Sequence, residues 1–192
     1  MLSRLLRSTV QRITLPIGKG IAAVGLTPNA VTVIGSIVTL YAGWLISQGN
    51  YRTGGVMALV AGVFDSLDGA VARARGGSQR GAFLDSTLDR VSDAVLFAAV
   101  IWASLDTPAP VALAMAAMVL GFMTSYIRAR AEGLGLECRV GLAERAERVI
   151  ILAIGLITGF VTQSLVILVI LSSFTVIQRF VHVWRQARAD GT

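Results

Sequence analysis

Long apolar blocks alternate with short polar interruptions along the whole chain. Six blocks approach the roughly 20 mostly apolar residues that a helix needs to cross a bilayer core: 31–48, 53–71, 81–105, 109–128, 148–161 and 164–182. The interruptions QGNYRTGG, RARGGSQRG, DTPAP and TGFVTQS carry the glycines, prolines and small polar residues of turns. The second block becomes polar in its last turns, and the third is polar in its first half. No repeat, low-complexity tract or shift of composition divides the chain. The pattern therefore predicts one all-α membrane domain over residues 1–192 with six transmembrane helices. Ahead of the first block, MLSRLLRSTVQRITLPIGKG is basic and amphipathic. Leu2, Leu5, Leu6, Val10, Ile13 and Leu15 fall on one side of a helix, and Arg4, Arg7, Arg12 and Lys19 can reach lipid phosphates. Residues 1–22 thus predict a helix lying on the membrane surface. They lack the long apolar core and cleavage site of a secretory signal, although an organelle transit peptide would share their composition.

Composition sharpens this picture. Of 192 residues, 55% are hydrophobic and 15% charged, more apolar surface than a soluble domain of this size hides. The alternative is an unusually apolar soluble bundle. With the N-terminus in the cytoplasm, nearly every arginine falls on or near the cytoplasmic side; Arg52 lies outside and Arg90 within a span. That asymmetry supports six spans with both termini inside, and chemistry at the cytoplasmic face. The net charge of +6 admits nucleic acid as a partner, but arginines at the ends of membrane helices favour anionic lipid and phosphate. Cys138 is the only cysteine, which excludes an internal disulfide framework and a cysteine-based zinc cluster.

One region breaks the hydrophobic rule: DSLDGAVARARGGSQRGAFLDSTLDRVSD. Asp65 and Asp68 are three apart and share a helix face; Asp85, Asp89 and Asp93 follow at intervals of four and share another. Two antiparallel helices joined by RARGGSQRG could bring these faces together. Bare carboxylates at membrane depth are costly, so they must pair or bind cations. A divalent cation would relieve their repulsion, and all-oxygen ligation favours Mg2+, Mn2+ or Ca2+ over zinc. Two other readings stay open on spacing alone. One is a salt-bridge network with Arg73, Arg75 and Arg90; the other is the ion pathway of a transporter.

The segment resembles the signature of the CDP-alcohol phosphotransferases, DxxDGxxAR followed after a spacer by GxxxDxxxD. Here it reads Asp65-Ser-Leu-Asp68-Gly69-Ala-Val-Ala72-Arg73, then Gly81-Ala-Phe-Leu-Asp85-Ser-Thr-Leu-Asp89. The spacer, residues 74–80, is seven residues long where the family usually has about eight, so no role is assigned within it. The resemblance implies a membrane enzyme that joins a lipid-linked CDP donor to a polar alcohol. It implies that Asp65, Asp68 and Asp85 bind Mg2+ or Mn2+, and that Asp89 completes the metal site and takes the proton from the acceptor hydroxyl. Gly69 and Gly81 would let the nucleotide approach the backbone, and Arg73 would hold the donor phosphates. GLTPNAVT resembles the family's entry to its first span, so that Asn29 and Thr32 would contact the nucleotide; helix capping by Thr27 or Asn29 with Pro28 is the plainer reading. Asp93 reads as structural, a partner for Arg90 or a residue behind the metal site.

The second half places arginines where spans rarely carry them. Ser125, Arg128 and Arg130 lie in SYIRARAE, Arg145 and Arg148 in LAERAERVII, and Arg179 in IQRFVHVW. Converging near the aspartates, they would form a pocket for a dianionic phosphate. Arg185 and Arg188 read as lipid anchors, His182 as an interfacial residue, and Trp44, Trp102 and Trp184 as an aromatic belt. These stretches resemble the actinobacterial-type phosphatidylinositol phosphate synthases, with Arg128 for the usual Lys and Ala146 for the usual Pro. That resemblance implies inositol 1-phosphate attacking CDP-diacylglycerol. It also implies a homodimer in a bacterial plasma membrane, with the donor's acyl chains reaching sideways into lipid. Glycerol 3-phosphate, giving phosphatidylglycerol phosphate, is the alternative acceptor. A non-catalytic transporter or lipid-binding protein of the same fold is the remote alternative.

Overall fold

The structure, a computed structural model, describes residues 14–189. The expected surface helix begins outside them, but 14–23 are helical (α1), with Thr14 and Gly18 buried. A Cβ on Gly18 would come within 2.7 Å of Ala70 Cβ, so the small residue lets α1 lie directly against the third helix. Six longer helices follow: α2 (Pro28–Ser47), α3 (Tyr51–Arg75), α4 (Gln79–Ala103), α5 (Pro108–Glu132), α6 (Arg145–Thr158) and α7 (Val161–Ala189).

Local chemistry sets the ends. Thr27 Oγ1 accepts from Ala30 N–H at 3.2 Å, with Pro28 at the first helical position, which is the capping read from GLTPNAVT. Ser78 caps α4 by accepting from Gly81 N–H at 3.0 Å. Gly76 ends α3 at φ +90° and Gly159 ends α6 at φ +85°, backbone that side chains disfavour. The short spacer after Arg73 is thus absorbed by continuing α3 to Arg75 and starting α4 at Gln79.

Among the described residues, four helices are long and apolar enough to cross a membrane: α2, α3, α5 and 161–188 of α7. The other two expected spans differ for separate reasons. In α4, the charged run from Arg80 to Asp93 lowers the hydropathy of an otherwise sufficient 25 residues. In α6, 14 residues rise about 21 Å, less than a hydrocarbon core of about 30 Å. It starts at Arg145 and stops at Thr158, both earlier than the block at 148–161 suggested.

Packing follows a closed ring, α2–α3–α6–α7–α5–α4 and back to α2. Small residues permit the close approaches. A Cβ on Gly35 would meet Phe64 Cβ at 2.9 Å, and one on Gly55 would meet Ala153 O at 2.9 Å. One on Gly43 would meet Val95 Cγ1 at 2.6 Å. The apolar core, including Ile46, Ala58, Val100, Ala117, Leu156 and Leu168, fills the end of the ring where α2 stops and α3 starts. The opposite end, at the starts of α4 and α6, is where the charged residues gather. Outward-facing side chains such as Ile37, Met115, Ile170 and Ile177 are more than half exposed. An apolar exterior of this extent fits a lipid environment.

Candidate active site

Three of the signature aspartates meet across the ring. Asp65 and Asp68 on α3 and Asp85 on α4 place carboxylate oxygens within 4.8 Å of one another. Asp68 is buried, and Thr32 Oγ1 on α2 donates to its Oδ2 at 2.9 Å. Asp85 Oδ1 is buried with no hydrogen-bond partner among the described residues. Three converging hard oxygen donors, one with an unsatisfied buried oxygen, fit Mg2+ or Mn2+. Thr32, expected at the nucleotide, is therefore also an orienting partner of Asp68.

Beside this trio lies a cavity of about 380 Å3, lined by Asn29 and Thr32 of α2, Asp68 and Gly69 of α3, and Gly81 and Asp85 of α4. Gly76, Gly77 and Ser78 of the spacer line it as well, a role that only their Gly-Gly-Ser composition signals in the sequence. A Cβ on Gly81 would stand 2.8 Å from Asn29 Oδ1, so glycine here keeps both the cavity and the asparagine in place. Arg73 is exposed at the end of α3, its Nη1 3.4 Å from where a Cβ on Gly69 would be. Arg75 Nη1 donates to the carbonyls of Gly25 and Leu26, both at 2.9 Å, and ties the α1–α2 link to α3.

Asp89, one turn further along α4, stands outside the trio. Its Oδ1 lies 2.8 Å from Nη1 of Arg145, which also donates to Asp65 Oδ1. Arg145 Nε is 3.4 Å from Asp93 Oδ1, and Arg148 Nη2 donates to Asp93 Oδ2. The carboxylates thus take their arginine partners from α6 rather than from Arg73, Arg75 or Arg90, and Arg90 instead donates to the carbonyl of Ser86 on its own helix.

The residues expected around an acceptor phosphate divide into three sets. Arg145 faces the aspartates. Ser125 is half-buried on α5, and Arg128 and Arg130 are exposed near its end, Arg128 paired with Glu132 at 2.9 Å. Arg148 and Arg179 are turned into the protein. Arg148 is 4% exposed, with Nη1 3.3 Å from both Thr124 Oγ1 and the Ala143 carbonyl. Arg179 donates from Nε to the Val140 carbonyl at 2.8 Å and from Nη1 to the Thr124 carbonyl at 2.7 Å. Their charged donors satisfy the Ala143 and Val140 carbonyls of the 133–144 connection, and Arg179 also ties that connection to the Thr124 carbonyl within α5. Thr175 Oγ1 adds to this by accepting from Leu142 N–H and Ala143 N–H at 3.3 and 3.1 Å. Gln186 and Glu137 bond through side-chain amide and backbone in both directions.

The sequence profile of the CDP-alcohol phosphatidyltransferase family matches residues 25–185. An archaetidylinositol phosphate synthase of Methanothermobacter thermautotrophicus is 38% identical over 189 residues, covering 95% of this chain and 94% of that protein. A phosphatidylinositol phosphate synthase of Mycobacterium tuberculosis is 36% identical, covering 93% and 88%. The crystal structure of the Mycobacterium tuberculosis phosphatidylinositol phosphate synthase with CDP-DAG bound superposes with a TM-score of 0.82 at 35% identity, over 90% of this chain and 94% of that one. The same enzyme in complex with manganese and citrate gives 0.81, over 89% and 88%. With the aspartate signature in place, the family profile matched over residues 25–185 and 90% of the chain superposing on the CDP-DAG-bound structure, the chain belongs to the CDP-alcohol phosphatidyltransferase family and is a membrane enzyme of that family.

Proposed function

We propose that this enzyme is a phosphatidylinositol phosphate synthase, transferring the phosphatidyl group of CDP-diacylglycerol to inositol 1-phosphate with release of CMP. The observation that carries the reading is the convergence of Asp65, Asp68 and Asp85 on a glycine-lined cavity, with Asp89 and Arg145 at its side. The relatives support the acceptor. Those named phosphatidyl and archaetidyl synthases differ in the lipid part of the name and share inositol phosphate.

The cavity side of the site, with Asn29, Thr32, Gly69, Arg73 and Gly81, takes the CDP end of the donor. Ser125, Arg128, Arg130 and Arg145 take the acceptor's phosphate, with Arg148 and Arg179 packed behind them. Asp89 accepts the proton as the acceptor oxygen bonds to the phosphorus that carries diacylglycerol. The bond from that phosphorus to the CMP oxygen breaks, and CMP leaves with the electron pair. When bound by Asp65, Asp68 and Asp85, with Asp89 completing the set, Mg2+ or Mn2+ neutralises pyrophosphate charge and orients the reacting oxygens.

The surrounding reading is a single membrane domain over 1–192 with six spans, α4 and α6 crossing as members of the ring, and residues 1–22 on the surface. Arg52 and Asp106 sit at one end of the ring and the remaining helix-end arginines at the other, which supports a site facing the cytoplasm. The proposed state is a homodimer in a bacterial plasma membrane, and no nucleic-acid partner is proposed.

The deciding experiment is CMP release by purified protein with CDP-diacylglycerol and Mg2+, offered inositol 1-phosphate, glycerol 3-phosphate or free inositol. Release with inositol 1-phosphate alone is expected. Release with glycerol 3-phosphate instead would keep the chemistry and reassign the acceptor, and silence with all three would defeat the proposal.

A further inference from the structure

Asp93 lies one turn beyond Asp89 on α4 and offers one carboxylate oxygen to each of two α6 arginines. Oδ2 accepts from Arg148 Nη2, and Oδ1 faces Arg145 Nε at 3.4 Å. The two arginines are three residues apart, on the same face of α6. Arg148 is a fixed point. It is 4% exposed, and Thr124 and the Ala143 carbonyl hold its other terminal nitrogen. A Cβ on Gly121 would lie 3.3 Å from its Nε, so only glycine leaves the guanidinium its full berth against α5. Arg145 is held at Nη1 by the carboxylates of Asp65 and Asp89, whereas its Nε makes no hydrogen bond among the described residues. That Nε has Asp93 alone as ion-pair partner among the described residues.

We infer that Asp93 is a positioning residue for the acceptor: anchored by Arg148, it fixes the direction of the Arg145 guanidinium and so sets acceptor affinity without touching either substrate. The inference rests on the proposal that Arg145 binds the acceptor phosphate. The arrangement has the economy of a bracket. A buried guanidinium needs a counter-charge, and the carboxylate that answers Arg148 has a second oxygen left to aim Arg145. A guanidinium misdirected by about 1 Å loses much of its directional bond to a phosphate.

The test is a double-mutant cycle on the full-length protein with Mn2+, using Asp93→Asn, Arg145→Gln and the two combined. The readouts are the KM for inositol 1-phosphate, the KM for CDP-diacylglycerol, kcat, and Mn2+ affinity by calorimetry. Arg145→Gln is expected to raise the acceptor KM about tenfold or more, and Asp93→Asn to raise it comparably. Donor KM and Mn2+ affinity should stay within about twofold in Asp93→Asn. The double variant should match Arg145→Gln alone, because the bracket has nothing left to aim. Effects that multiply would show Asp93 acting independently and overturn the inference. An acceptor KM unchanged in Asp93→Asn but raised in Arg145→Gln would overturn the inference and leave the Arg145 assignment standing. An unchanged acceptor KM in Arg145→Gln would overturn both. Should Asp93→Asn fail to fold, Asp93→Glu keeps the charge opposite Arg148 while displacing the second oxygen. It is expected to melt near the wild-type temperature with a raised acceptor KM, and wild-type kinetics would overturn the inference.

Discussion

Nη1 of Arg145 lies 2.8 Å from Oδ1 of Asp89, joining the residue assigned as base on α4 to the first residue of α6. These helices are not neighbours in the ring, so the contact spans its interior. The cation that balances the carboxylates comes from the half of the sequence assigned to the acceptor.

Replacing Asp89 by Asn keeps shape and removes the proton acceptor. The expected result is a fall in kcat of about a hundredfold or more, with CDP-diacylglycerol binding retained. CMP release and a donor-binding isotherm on the same preparation check it, and normal turnover would remove Asp89 from the role of base.

Thr32→Val is nearly isosteric and deletes the hydroxyl that donates to Asp68 at 2.9 Å. Partners that orient metal ligands typically carry about tenfold or more in affinity. Mn2+ titration followed by electron paramagnetic resonance should show that weakening. Chelation should abolish CMP release in the wild type, and added Mn2+ should restore it. An unaltered titration in Thr32→Val would mean that Asp68 is oriented without it.

Gly81→Ala puts a methyl 2.8 Å from Asn29 Oδ1 and 3.2 Å from Ser78 Oγ. The nearest atom ends a flexible side chain, so the fold should survive and the cost should fall on the cavity. A donor KM raised about tenfold with an unchanged acceptor KM is expected. Asn29→Ala in the same chain should return part of the loss if crowding is the cause.

Thr175→Val removes the oxygen that accepts from Leu142 N–H and Ala143 N–H. Leaving buried donors unmatched costs about 1–3 kcal/mol each. A lowered melting temperature and faster proteolysis within 133–144 are the expected signs. The acceptor KM should rise with them, because this connection delivers Arg145.

The aspartate face was legible because its determinants are local. Spacings of three and four residues fix which carboxylates share a helix side, and membrane depth makes such a side costly to leave uncompensated. The capping by Thr27 was legible for the same reason. The partners were not. Arg145 reaches Asp65 and Asp89, and Arg148 reaches Asp93, across sequence separations that no periodicity encodes. A row of arginines at a helix start reads equally well as a phosphate pocket or as a set of counter-ions. Gly121 was equally silent, since a single glycine in an apolar helix shows nothing of the guanidinium it accommodates. The end of the short α6 differs from the apolar block because hydropathy extends past Gly159, where a positive φ, rather than polarity, stops the helix, and its start differs because the first turn, Arg145 to Glu147, is polar.

The closed order of the ring also has a consequence for how the chain is made. Synthesis delivers α3 and α4, with Asp65, Asp68, Asp85, Asp89 and Asp93, well before Arg145 and Arg148 leave the ribosome. Until then the nascent chain holds acid without its matching base. The ring closes only when α7 settles between α6 and α5. Chains truncated before α6 should therefore be handled by the cell as unfinished membrane proteins, recognisable by unbalanced charge as much as by shape.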